Sequence, residues 1–137
     1  MEITWFVDPG AGLVRLRYRG EPDFNVWAGV MTAIFADPAY RPGFGFVADL
    51  TESGVPDTDH LRQVELFVRR HERQMKGSRW ANVTHDIVHY GMTGVAEVFV
   101  EDLSSTIRAF TSAADAEAWA SGHSPELRER PAPRDTR

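Results

Sequence analysis

The segment DLTESGVPDTDHL, residues 49–61, carries residue types suited to ligand binding or phosphorylation. Asp49 follows an apolar run, and the carboxyl ends of buried strands are where open α/β sheets bind ligands. Asp57 or Thr58 can cap a following helix by accepting hydrogen bonds from its first amides. The pattern predicts a strand end, a polar loop and a capped helix. Its candidate partner or regulatory surface comprises Asp49, Ser53, Asp57, Thr58 and Asp59.

A second candidate is the segment HDIVH, which places His85 and His89 four residues apart. That spacing can put two imidazoles on one helix face and resembles the zinc motif H-E-x-x-H, with Asp86 in the glutamate position. Aspartate is one methylene shorter, His85 is expected to precede the helix, and no third ligand is evident. A metal-dependent hydrolase is therefore the least favoured function, and we expect no metal, no cofactor and no enzyme.

The composition is typical of a globular protein and argues against several classes of function. The chain has 137 residues, which suits one domain, and 42% of them are hydrophobic. It contains no cysteine, so disulfides and thiolate metal sites are excluded. The net charge of −5 argues against nucleic-acid binding. No apolar run approaches the roughly 20 residues that cross a bilayer, and the N-terminus lacks signal-peptide features, so a cytoplasmic protein is expected.

Hydrophobic periodicity predicts the order β-β-α-β-α-β-α-β-α. The first two strands, about residues 2–7 and 13–20, are expected to form a hairpin, and the later strands to run parallel through right-handed crossovers. The predicted helices span about residues 23–35, 57–76, 86–102 and 113–120.

The third predicted helix is expected to bury Ile87, Tyr90, Val95 and either Val98 or Phe99, which recur at helical spacing. The domain is expected to occupy residues 1–121. Residues 122–137 contain three prolines and few apolar side chains, so a disordered tail is expected there.

The element order and four segments resemble the STAS/anti-anti-sigma-factor superfamily, in particular its small bacterial STAS/SEC14-like proteins. The segments are ITWFVDPGAGLVRLRYRG, DPAYRPGFGFVADL, VTHDIVHYGM and IRAFTSAADAEAWA, which span about residues 2–120. The resemblance implies a STAS-like (SpoIIAA-like) α/β domain with a mixed five-stranded sheet and helices packed on it. It also implies binding to partners or small ligands without catalytic machinery, and is compatible with a homodimer.

Anti-anti-sigma proteins carry a phosphorylatable serine after an aspartate, at the start of the helix that follows the central strand. The matching segment here is DTDH, residues 57–60, with Asp59 at the acceptor position and Thr58 as the remaining hydroxyl. The sequence thus departs from the family pattern. Helix capping is the favoured role of this segment, and the alternatives are phosphorylation of Thr58 or imitation of a phosphate by Asp59.

The favoured function is a non-catalytic interaction or regulatory domain of unassigned pathway, with a protein partner at residues 49–61. The alternative is a binder of a small apolar ligand, with a pocket between the helices and the sheet and an entrance near Asp49. The residues expected to line that pocket are Trp27, Phe35, Tyr90 and Phe99.

Overall fold

The computed structural model describes residues 1–122, so the predicted tail lies outside the described residues apart from Gly122. The strands are β1 (Glu2–Asp8), β2 (Leu13–Gly20), β3 (Gly45–Ser53), β4 (Arg79–Val83) and β5 (Thr106–Phe110). The helices are α1 (Phe24–Ala36), α2 (Thr58–Arg70), α3 (Glu72–Met75), α4 (Ile87–Phe99) and α5 (Ala113–Ala120).

The five strands form one mixed sheet in the order β1-β2-β3-β4-β5. β1 runs antiparallel to β2, and the remaining neighbours are parallel. The predicted hairpin at one edge and the predicted parallel strands are therefore confirmed. β3 lies at the centre, which accounts for its almost wholly apolar first half, because a central strand of a parallel sheet is buried on both faces.

The face of the sheet that carries α1, α2 and α4 encloses the larger core. Phe46 of β3 stacks on Trp80 of β4 with ring centroids 4.6 Å apart. Trp27 of α1 packs against both Trp80 and Phe67. Its indole nitrogen donates to the hydroxyl oxygen of Tyr18 over 2.9 Å. Both groups are buried, so this bond avoids the cost of leaving them unpaired.

Among the described residues, α5 alone covers the opposite face, where it lies against β3, β4 and β5. Arg15 of β2 holds the outer side of α5, because its guanidinium bonds to Glu117 at 3.0 Å and to Asp8 at 2.6 Å. These bonds hold the pKa of both carboxyl groups below their usual values. The smaller core under α5 consists of Leu13, Val47, Ala81, Val83, Ala116, Trp119 and Ala120.

The rest of this second face is open and carries ion pairs in front of β2. Arg17 lies 3.6 Å from Asp49, and Arg19 lies 3.0 Å from Glu52. Such exposed pairs contribute only about 0–1 kcal/mol each to stability. The residues of β2 alternate between the two faces: its arginines and Leu13 lie on this face, and its other apolar residues lie on the opposite face. Those apolar residues are Val14, Leu16 and Tyr18.

The second predicted helix, residues 57–76, is interrupted at His71, so α2 and α3 are separate. The Nδ1 atom of His71 lies 2.8 Å from the Phe67 carbonyl oxygen, and the two rings stack at 4.0 Å. The backbone amide of His71 bonds to the same carbonyl. Competition between a side chain and an amide for one carbonyl favours a break in a helix. The apolar spacing did not indicate this break.

The predicted orientation of α4 is wrong. His89 and Thr93 face the core, and each is only 3% exposed. Both make hydrogen bonds to backbone carbonyl oxygens, so their burial leaves these polar groups paired. Of the residues expected to face inward, Ile87 (86% exposed), Tyr90 (49%) and Val98 (61%) are exposed and Val95 is half-buried. Phe99, the predicted alternative to Val98, is half-buried and lies on the inner side of the helix.

Candidate functional site

The loop after β3 and the first turn of α2 form an exposed surface at the carboxyl end of the central strand. Asp57 is the N-cap of α2, and its Oδ1 atom accepts a hydrogen bond from the His60 amide at 2.8 Å. Thr58 and Asp59 follow in the first turn with exposed side chains. Asp59 lies at the positive end of the helix dipole, which favours a negative charge. The segment therefore provides a capped helix start with a free hydroxyl and a free carboxylate.

Three hydrogen bonds fix this loop to its surroundings. The Gly54 amide donates to the Gly20 carbonyl oxygen at 2.9 Å, which ties the loop to the end of β2. The Nε2 atom of His89 lies 3.0 Å from the Ser53 carbonyl oxygen, which ties the loop to α4. The Asp57 cap is the third bond. The backbone is thus held in place while Val55 at its centre remains 38% exposed.

Asp49, in contrast, points to the open face of the sheet. Its carboxylate lies 3.6 Å from Arg17 and accepts hydrogen bonds from the amide and the hydroxyl of Thr51. Partial burial raises the pKa of Asp49, but the bonds from Thr51 and the charge of Arg17 outweigh burial and hold it below the usual value. The structure therefore separates Asp49 from the other four predicted site residues, which lie on the helix side.

The two histidines of HDIVH do not share a face. His85 is exposed and precedes the helix, whereas His89 is buried. Asp86 is the N-cap of α4, and its carboxylate accepts hydrogen bonds from the amides of Val88 and His89. Within residues 1–122, no three histidine, cysteine or acidic side chains lie close enough together to hold a metal ion. The geometry gives no support to the metal-hydrolase hypothesis.

A cavity of about 120 Å³ lies between α2, α4 and the sheet. Its wall is largely apolar but includes three polar side-chain groups joined by hydrogen bonds. The indole nitrogen of Trp80 donates to Asn82 at 2.8 Å, and the amide nitrogen of Asn82 donates to Thr93 at 3.1 Å. The apolar part of the wall includes Trp27, Leu61, Val64, Met92, Ala96 and Phe99.

Two of the four residues predicted to line a pocket, Trp27 and Phe99, line this cavity. Phe35 instead packs against Tyr40 and Phe67, in a different part of the core. Tyr90 lies on the outer face of α4, so its predicted place in the pocket is wrong. The predicted entrance near Asp49 is also wrong, because that side chain lies on the opposite face of the sheet. The sequence analysis did not identify Asn82 and Thr93 as pocket residues, because nothing in the sequence indicates that these polar residues line a cavity.

The hairpin edge, the five-stranded order and the helix arrangement define an α/β protein with the SpoIIAA-like fold, as the resemblance predicted. No protein-family model matches the chain, and no curated protein matches its sequence. The solved structures with a similar fold include the following two. One is an uncharacterized DUF3478-family protein with a SpoIIAA-like fold from Shewanella loihica, with 15% identity and a TM-score of 0.61, covering 86% of this chain and 93% of that chain.

The second similar structure is an anti-sigma factor antagonist from Mycobacterium paratuberculosis. It is 15% identical, with a TM-score of 0.56, and the match covers 87% of this chain and 94% of that chain. At this level of identity the similarity concerns the fold. No helix within residues 1–122 combines the length and apolar character that a membrane crossing requires.

Proposed function

We propose that this chain is a non-catalytic interaction or regulatory domain whose protein partner docks on the loop after β3 and the first turn of α2. The observation that carries the proposal is a loop with a fixed backbone and exposed side chains. Preorganised surfaces lose little conformational entropy on binding, which favours affinity. The similarity to an anti-sigma factor antagonist supports a protein partner. A cytoplasmic location belongs to the same proposal.

The charge around this loop favours a basic partner surface. Glu21 lies beside Gly54, where an added Cβ would approach its carboxylate. Asp57 and Asp59 lie in the adjacent helix start, and both are exposed. Complementary charge accelerates association and excludes like-charged partners. Val55 supplies an apolar contact at the centre of this acidic surface, as docking sites commonly combine an apolar core with a polar rim.

The test is a quantitative affinity capture from a lysate of the source cell, with Asp59→Arg compared with the unaltered chain. We expect the amount of each captured protein to fall about tenfold with Asp59→Arg, since the change reverses a charge on the polar rim of the surface. Asp115→Arg is the matched control, because it reverses an exposed acid in the first turn of a different helix, α5. Equal recovery of the same proteins by all three chains would contradict the proposed surface.

A second candidate function, supported by the cavity, is the binding of a small apolar ligand between α2, α4 and the sheet. Its volume of about 120 Å³ is close to that of a cavity of about 150 Å³ that stays dry and binds benzene in another protein. The paired Asn82 and Thr93 give the wall a polar point that could orient a ligand. An apolar pocket with a few placed polar groups is typical of small-molecule sites.

We expect benzene or indole to raise the unfolding temperature of the unaltered chain. A ligand whose free concentration is 100 times its Kd adds about 2.7 kcal/mol to the free energy of unfolding. Ala96→Phe should remove this shift, because Ala96 lines the cavity and the larger ring occupies it. Ala114→Phe, at an exposed position of α5, is the control that should keep the shift. Differential scanning calorimetry measures all three chains, and the absence of a shift with either probe in the unaltered chain would count against this function.

A further inference from the structure

The outer face of α4 is an apolar stripe without a partner in the described residues. Its members recur at helical spacing, so they lie on one side of the helix, opposite His89 and Thr93. Ile87 is 86% exposed and Val98 61% exposed. No charged residue belongs to this outer stripe, which consists of Ile87, Tyr90, Gly91, Gly94, Val95 and Val98.

The order of residues in the outer stripe is symmetric about the midpoint between residues 92 and 93. Antiparallel pairing about that point brings each position of the stripe opposite another position of the stripe, with Tyr90 opposite Val95 of the other helix. Gly91 falls opposite Gly94 of the other helix, and Ile87 falls opposite Val98. A Cβ added at either glycine would meet nothing within 4 Å, so the centre of the stripe is open for close approach. Self-complementarity of this kind is what a two-fold interface between identical chains requires.

We propose that the outer stripe of α4 is the contact surface for a second copy of this chain, with the two α4 helices antiparallel across a two-fold axis. Exposed apolar patches beyond a few hundred Å² are uncommon on monomers and mark interaction surfaces. A stripe of about 17 Å, formed by α4 and its flanking side chains on both copies, buries on the order of 1,000 Å² in total. That area is near the lower limit for a specific interface, so the dimer is reversible and of micromolar affinity.

The charges at the end of the stripe favour a protein occupant over a lipid surface. α4 contains no lysine or arginine. Glu97 and Glu101 are exposed acids near its C-terminal end, whereas Asp102 beyond them is paired with Arg69 of α2 at 2.9 Å. Helices that lie on membranes carry basic residues beside their apolar face, because anionic lipids attract them. An acidic end is repelled by such a surface, whereas it does not oppose antiparallel packing, in which each helix dipole meets the opposite end of the other.

The test is sedimentation equilibrium of the full chain over micromolar to millimolar concentrations. We expect the unaltered chain to dimerise reversibly and Ile87→Glu to remain a monomer throughout. Leu66→Glu is the matched control, since Leu66 is 53% exposed on α2, outside the outer stripe, and should leave the dimer intact. A monomeric unaltered chain, or a dimer unchanged by Ile87→Glu, would overturn the proposal, as would a monomer that floats with neutral phosphatidylcholine vesicles.

Disulfide trapping tests the register, because the chain has no cysteine of its own. Gly91→Cys and Gly94→Cys are prepared separately and then mixed under mild oxidation. The proposed axis places these positions opposite each other, so the mixed dimer should form faster than either self-dimer. Equal rates for all three products would contradict the register. The inference stands apart from the proposed function, because none of these changes alters the loop after β3.

Discussion

Replacing Gly45 by alanine is expected to lower the free energy of unfolding by about 3 kcal/mol and to displace α5 from the sheet. A Cβ at this position would lie 2.7 Å from the carbonyl carbon of Ala120, and closer still to its oxygen. Because these atoms of Ala120 belong to the backbone, they cannot move away as the end of a flexible side chain could. Overpacking typically costs about 1–3 kcal/mol, and a fixed obstacle places this change at the upper end.

The displacement matters because α5 supplies three members of the smaller core. Urea unfolding measures the lost stability, and limited proteolysis within Ala113–Ala120 reports whether α5 has detached. Gly29→Ala is the matched control, since a Cβ there meets nothing within 4 Å and the position lies inside α1. That change should stabilise the protein by about 1 kcal/mol, the helix-propensity difference between glycine and alanine. A Gly45→Ala chain as stable as the unaltered one would show that α5 is not packed as described.

Trp27→Ala is the second change with a large expected effect, a loss of about 3–5 kcal/mol. Trp27 is 4% exposed and packs against Phe67 and Trp80. Its removal also leaves the Tyr18 hydroxyl without the indole donor, in a setting where burial raises the pKa of that phenol well above its usual value. An unpaired buried polar group costs about 1–3 kcal/mol, which is part of the total.

Urea unfolding at constant pH measures this loss, and Phe6→Ala is its control. Phe6 is an aromatic residue of β1 that is 61% exposed, so its truncation should change stability by no more than about 0.5 kcal/mol. The same experiment tests the cavity, because Trp27 lines it. If the cavity accepts apolar molecules, Trp27→Ala should bind a larger probe such as indole more tightly than the unaltered chain does. A loss no larger than that of Phe6→Ala would contradict the described core.

Local patterns in the sequence were sufficient to predict most of the helices and strands and their order. Hydrophobic periodicity and the rules for strand connections predicted the hairpin of β1 and β2 and the parallel later strands. The apolar run before Asp49 indicated a buried strand. The preference of aspartate and threonine for helix N-caps left Asp57 and Thr58 as candidates, and the structure has Asp57 as the cap. Each of these features depends on neighbours in the chain, which is why the order of elements could be predicted.

The assembled structure decided what depends on distant partners. The break at His71 requires its ring to meet the Phe67 carbonyl oxygen, a contact that hydrophobic spacing does not encode. Asp49 follows an apolar run, but β3 continues through it to Ser53. The pairing of β3 with β2 turns the Asp49 side chain toward Arg17 and away from the loop. The cavity is present because α2 and α4 do not pack completely against the sheet, which depends on all three elements together.

The orientation of α4 is the clearest example of a feature that depends on residues distant in the sequence. The sequence determined a helix that is apolar on two faces, and periodicity favoured the face with larger side chains. The structure buries the other face, because the Ser53 carbonyl oxygen and Asn82 offer hydrogen bonds to His89 and Thr93. A buried polar group is tolerated when it is paired, and its partners here come from β3 and β4, remote in the chain. The sequence by itself therefore determined the elements and their order, whereas the tertiary structure alone decided which face of α4 is left for a partner.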